Sequence, residues 1–69
     1  MTVALVREPE GVDMVEVAFS ESARFYRLLK VNPEFQRILT ALREAKENKR
    51  PVFVMTESPQ GNMIVDAKA

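Results

Sequence analysis

The stretch Val3-Ala4-Leu5-Val6-Arg7-Glu8-Pro9-Glu10-Gly11-Val12-Asp13-Met14-Val15-Glu16-Val17 decides the fold. It returns fifty positions later as Phe53–Glu57, then Ser58-Pro59-Gln60-Gly61, then Asn62-Met63-Ile64-Val65-Asp66-Ala67. Pro9 matches Pro59, Gly11 matches Gly61, Val15 matches Val65, and Glu16 matches Asp66. Each copy reads as a β-hairpin. Pro presets the first central residue of a type I turn, and Gly two positions later supplies the positive φ of a G1 bulge. Few other positions agree, so the repeat is one of geometry rather than ancestry.

Between the hairpins the pattern turns helical. Phe25, Leu28 and Leu29 stand at i, i+3 and i+4, one face of a short helix. Ser20 or Ser22 is placed to cap it, and it should stop near Lys30. Asn32-Pro33-Glu34 then restarts the chain: Asn suits the N-cap, Pro the first helical position, and Glu the positive helix end. Phe35, Ile38, Leu39, Leu42 and Ala45 form an apolar stripe, with Lys46, Lys49 and Arg50 at the negative end and Pro51 as the stop. The expectation is one α+β domain over residues 1–69, ordered β-hairpin–α–α–β-hairpin. Its four-stranded antiparallel sheet would carry two helices on one face.

The three-residue turns imply a register. Arg7 should face Asp13, Leu5 face Val15, Glu57 face Met63 and Met55 face Val65. One sheet face would then hold Val3, Leu5, Val15, Val17, Phe19, Phe53, Met55, Val65 and Ala67, under the helices. The opposite face would hold Ala4, Val6, Met14, Val52, Val54 and Ile64. A sheet wetted on one side should alternate cleanly between apolar and polar residues, and this one does not. Either the sheet curls into a barrel or a second copy covers it. Val6, Met14, Val54 and Ile64 are therefore the candidate interface, since large exposed apolar patches mark contacts.

Composition limits the chemistry. The chain has 69 residues with no Cys and no His, so disulfides, thiolate nucleophiles, ordinary zinc sites and an imidazole base are all excluded. A domain this short buries only about 60% of its unfolded surface, which leaves oligomerisation as the available reinforcement. The only two glycines, Gly11 and Gly61, are committed to turns, so no phosphate loop is left. Glu16 and Asp66 occupy equivalent hairpin positions and form the sole candidate carboxylate pair. Solubilising the outer face is the simpler role for them. No enzyme activity and no cofactor or metal are expected. The start shows no signal-peptide pattern, and no run approaches the ~18–20 apolar residues of a membrane span. A cytoplasmic protein without a membrane partner is the default.

Net charge is zero, but unevenly spread. Arg24 to Arg50 holds eight Lys or Arg against three Glu, while the rest holds two basic residues against seven acids. Arg24, Tyr26, Arg27 and Lys30, extended by Arg37 and Arg43, make a candidate surface for a polyanion or a protein partner. The helical middle followed by Pro51-Val52-Phe53-Val54 and a hairpin is faintly similar to Phd-type antitoxins, which bind DNA as dimers. The similarity covers a minority of the chain, and the N-terminal hairpin and long second helix depart from it. Three functions follow as expectations. The first is a non-catalytic homo-oligomeric interaction or regulatory module, a homodimer or larger. The second is a nucleic-acid-binding regulator using the basic helical face. The third is a subunit of a larger hetero-complex.

Overall fold

The computed structural model describes residues 1–68. Strands β1 (Val3–Arg7), β2 (Met14–Phe19) and β3 (Phe25–Leu29) precede helix α1 (Phe35–Asn48), and β4 (Phe53–Thr56) and β5 (Ile64–Lys68) follow it. β1-β2-β3 form one antiparallel sheet and β4-β5 a second. The four-stranded sheet with two helices is thus corrected to a three-stranded and a two-stranded sheet with one helix. The element that changed is the expected first helix, which is β3.

The reason lies in residues 25–29. Phe25 and Arg27 point outward, while Tyr26 and Leu28 are buried at 5% and 0% exposure. That is period two, not 3.6. Aromatic residues favour a pleated, half-buried surface, and β2 offers a ready partner edge. Tyr26 pairs with Val17, and Leu28 with Val15. The Tyr26 and Phe19 rings meet edge to face, with centroids 5.1 Å apart.

The first hairpin's register also differs from the three-residue expectation, and the second keeps it at the turn but not beyond. Arg7 pairs with Glu16 and Val6 with Val17. The odd displacement exchanges the faces of β1, so Leu5 is exposed and Val6 packs on the core. A bulge between Val3 and Leu5 returns Val3 to the interior opposite Phe19. In the second hairpin Thr56 pairs with Ile64, but Met55 pairs with Asp66, leaving Val65 as the bulged residue. Gly11 has the expected positive φ, 77°. Gly61 does not have it.

Helix α1 follows its apolar stripe. Ile38, Leu39, Leu42 and Ala45 are buried and Phe35 packs beside them. Asn32 accepts the Glu34 N–H at 2.8 Å through its side chain, and its carbonyl accepts the Phe35 N–H at 2.9 Å. The helix begins at Phe35 with Glu34 as its N-cap and no side-chain cap bond, later than the expected cap at Asn32 and first turn at Pro33. At the other end Lys49 is left-handed (φ 55°, ψ 42°). The Arg50 N–H reaches the Ala45 carbonyl at 2.9 Å, closing a Schellman motif.

The two sheets curl around one core of Val3, Val15, Val17, Phe19, Tyr26, Leu28, Val52, Ile64, Ala67 and the helix stripe. They touch at two places. The Arg27 N–H donates to the Asn62 carbonyl at 2.7 Å beside a parallel bridge from Arg27 to Met63. Met1 and Val52 exchange backbone hydrogen bonds, each 2.7 Å, beside a bridge from Thr2 to Pro51. Beyond that clasp β1 and β4 diverge and make no contact. The wall of strands runs β1-β2-β3-β5-β4 and is open between its first and last members.

Candidate functional site

The expected basic helical face is broken up by the fold. Arg24, Tyr26, Arg27 and Lys30 lie on β3 and its flanks, and alternation sends Tyr26 into the core. Arg24 lies over the Tyr26 ring, its guanidinium carbon 5.1 Å from the centroid. Its Nη1 donates to the Gln60 carbonyl at 2.8 Å and its Nη2 to the Gly61 carbonyl at 3.2 Å. Arg24 therefore straps the β2–β3 turn to the β4–β5 loop. The Ser22 hydroxyl, and then Arg24, hold the Tyr26 phenol below the usual range. Arg37 donates to Glu34 at 3.1 Å and to Asp66 at 2.6 Å. Arg37 holds the Asp66 carboxyl below the usual carboxylate range, and Asp66 in turn raises Arg37. Arg43 is paired with Glu8. Of the six residues, Arg24, Arg27 and Lys30 are exposed with no ion pair among the described residues, and Arg24 is held by the two carbonyls.

The candidate interface residues are also dispersed. Ile64 is buried at 1% exposure. Val6 and Val54 are half-buried against the core. Met14 is half-buried on the outer face of β2, opposite Leu29. Glu16 and Asp66 do not form a carboxylate pair, since each is tied to a different arginine, Arg7 and Arg37. Among the described residues no group of three or more acidic side chains is placed to hold a metal ion. Among the described residues no helix is long and apolar enough to cross a membrane.

Two outer surfaces replace them. The first belongs to β4 and β5. Phe53 is 79% exposed and Met55 57%, on a strand whose alternate residues, Val52 and Val54, face the core. Val65, at the bulge of β5, is also exposed. Beyond it a shallow groove of about 300 Å³ is lined by Leu29, Val31, Pro33, Met63 and Val65. Sequence reasoning placed Phe53, Met55 and Val65 inside. Both phases of Val52-Phe53-Val54-Met55 are apolar, so alternation alone gives no sign of which faces inward.

The second surface is the outer face of the three-stranded sheet. The register sets Leu5 beside Ala18 and Phe25, Arg7 beside Glu16 and Arg27, and Met14 beside Leu29. Phe25 is 46% exposed. The Arg7 guanidinium lies 5.8 Å from the Phe25 centroid while its Nε donates to Glu16 at 3.0 Å. Reading Phe25 as a helix core residue hid this aromatic.

No protein-family model matches the chain, and no curated protein or solved structure shows significant similarity to it.

Proposed function

We propose that this protein is a small non-catalytic interaction module that self-associates through the outer side of the β4–β5 hairpin. The observation that carries the reading is the exposure of Phe53 and Met55 side by side on one strand. Isolated exposed apolar residues are ordinary. A large aromatic and a Met exposed on the same face of β4, beside Lys68 and Asp66 across the hairpin, are side chains of the kind that mark interaction sites. The size of the chain points the same way, since a short domain gains from burying surface against a copy. Sedimentation equilibrium at tens of micromolar tests it. The parent should be dimeric or larger, and Phe53→Glu should be monomeric with an unchanged circular dichroism spectrum. A parent that is a folded monomer at that concentration refutes the reading.

A second reading rests on Phe25. An exposed aromatic beside Arg7 and the unpaired Arg27 is a stacking platform flanked by cations, the combination that binds single-stranded nucleic acid. The strand order β1-β2-β3-β5-β4 is also that of the OB-fold, whose second and third strands present such a face. Fold analogy alone carries no function; the exposed ring and cations support the reading. Fluorescence anisotropy with mixed-sequence DNA and RNA at low salt decides it. Binding should fall steeply with salt and with Arg27→Glu or Phe25→Ala. No binding below about 100 μM, the weak end of non-specific affinity, removes it.

A further inference from the structure

We propose that the second copy joins through the open edge of β4, antiparallel to its own counterpart, with Met55 opposite the partner's Met55. This rests on the self-association reading and specifies its geometry. The argument starts from backbone direction. Val52 exchanges both of its backbone bonds with Met1, on the side away from β5. The Glu57 N–H donates to the Met63 carbonyl at 3.1 Å, toward the β5 side. Backbone groups alternate along a strand, so Val54 and Thr56 present their N–H and C=O groups on the Val52 side. The antiparallel bridge of Thr2 to Pro51 carries β1 away from this edge, and β1 does not contact β4. The free groups of Val54 and Thr56 are a short pairing template. Nothing on β4 guards it, as the strand has no Pro, no charge and no bulge of its own.

Symmetry and chemistry then choose the register. In a twofold antiparallel pair, opposed residues share a face, so either Val54 or Met55 lies opposite itself. The first register sets Val52 opposite Thr56, but the groups of Val52 are already taken by Met1. The second sets Val54 opposite the partner's Thr56, twice, and every bond uses free groups. It also places Phe53 diagonal to the partner's Met55 on the outer face, close enough for aromatic and sulfur side chains to meet. The clasp at Met1 and the loop after Thr56 bound the template at both ends. A strand of this length that closes on itself leaves no open edge to extend, which favours a second copy over a longer foreign strand.

Cysteine scanning tests the register, and the chain has no native Cys to interfere. Met55 would form a non-hydrogen-bonded pair with Cα atoms about 4.5 Å apart, within disulfide range. Under mild oxidation Met55→Cys should form covalent dimer at least about tenfold faster than Phe53→Cys or Val65→Cys, on the geometric requirement of the bond. Thr56→Pro removes an outward N–H without breaking the β4–β5 ladder, and should weaken self-association more than about tenfold with the monomer fold retained. If the parent is dimeric but Met55→Cys crosslinks no faster than Phe53→Cys or Val65→Cys, edge pairing is wrong and self-association through the apolar face stands. If the parent is monomeric, both fall. Should Thr56→Pro fail to fold, the crosslinking rates decide alone.

Discussion

Replacing Arg24 with Met tests whether one side chain straps the two sheets together. The guanidinium spans three partners: the Gln60 carbonyl, the Gly61 carbonyl and the Tyr26 ring. Met keeps an apolar stem over the ring and loses the rest. Both carbonyl contacts are exposed, so water replaces each lost donor and the net cost is about 0.5 kcal/mol apiece, the low end for a hydrogen bond. The cation–π contact adds about 0.5–1 kcal/mol. The sum is about 1.5–2 kcal/mol, or a fall in Tm of roughly 6–16 °C for a domain of this length. Circular dichroism melts measure it. Amide exchange localises it: the Gly61 and Arg27 N–H groups, bonded to Ser58 and Asn62, should exchange faster, while Val52, clasped to Met1, should not. Tyr26 is the only tyrosine, so an absorbance titration reads its phenol directly, and that pKa should rise in the variant. Arg24→Lys should recover little, because one ammonium cannot fork between two carbonyls. A melt within about 1 °C of the parent, or exchange rising equally in all strands, refutes the strap.

Gly11→Val should cost about 1–2 kcal/mol, the penalty of a left-handed backbone for a side chain; a Cβ there meets nothing within 4 Å, so Gly11→Asn should recover most of the loss in a urea titration. Asp66→Asn should change the acid limb of stability. Arg37 lowers the folded-state pKa of Asp66, so its contribution is complete above the unfolded value, about 3.9, and is lost as pH falls through the depressed one. The Asn variant should be less stable at neutral pH and show a shallower loss below about pH 4. Identical acid limbs in urea midpoints would refute the Arg37 pairing.

The helix and the hairpins were legible in the sequence to different degrees. Phe35 to Ala45 keeps a strict helical stripe because α1 meets the core along one side only, and Pro33 and Pro51 mark its limits. Its end still breaks a rule: a left-handed closing position favours Gly, and Lys49 occupies it. Phe25-Tyr26-Arg27-Leu28-Leu29 was ambiguous at this length. Leu28 and Leu29 fit a helix with Phe25, while Tyr26 and Leu28 fit a strand, and only the edge of β2 decides between them. The register of the first hairpin was illegible for another reason. Pro9 and Gly11 announce a turn, but not its length. Where Arg7 pairs with Glu16 rather than Asp13, an odd displacement exchanges inside and outside along β1.

The candidate surfaces were legible in amount rather than in place. The strands hold more apolar side chains than one interior accepts, and that surplus is visible in the sequence. Alternation points to Val6, Met14, Val54 and Ile64; the fold takes Ile64 inside, half-buries the other three, and leaves Phe53, Met55 and Val65 exposed. The basic residues dispersed for a similar reason. Arg24, Arg37 and Arg43 are spent on contacts within the chain, which no count of charges distinguishes from a free patch. What remains is informative because the fold does not need it. Phe53 sits on β4 at 79% exposure, where Thr or Lys would serve the strand as well and guard its edge better. Only a small part of the ring is covered by the described residues. Met55 beside it is also exposed, and the backbone groups of Val54 between them are free on the outer edge. Three successive residues left open in this fold, in side chain or in backbone, are what the proposed pairing of β4 with a second copy would cover.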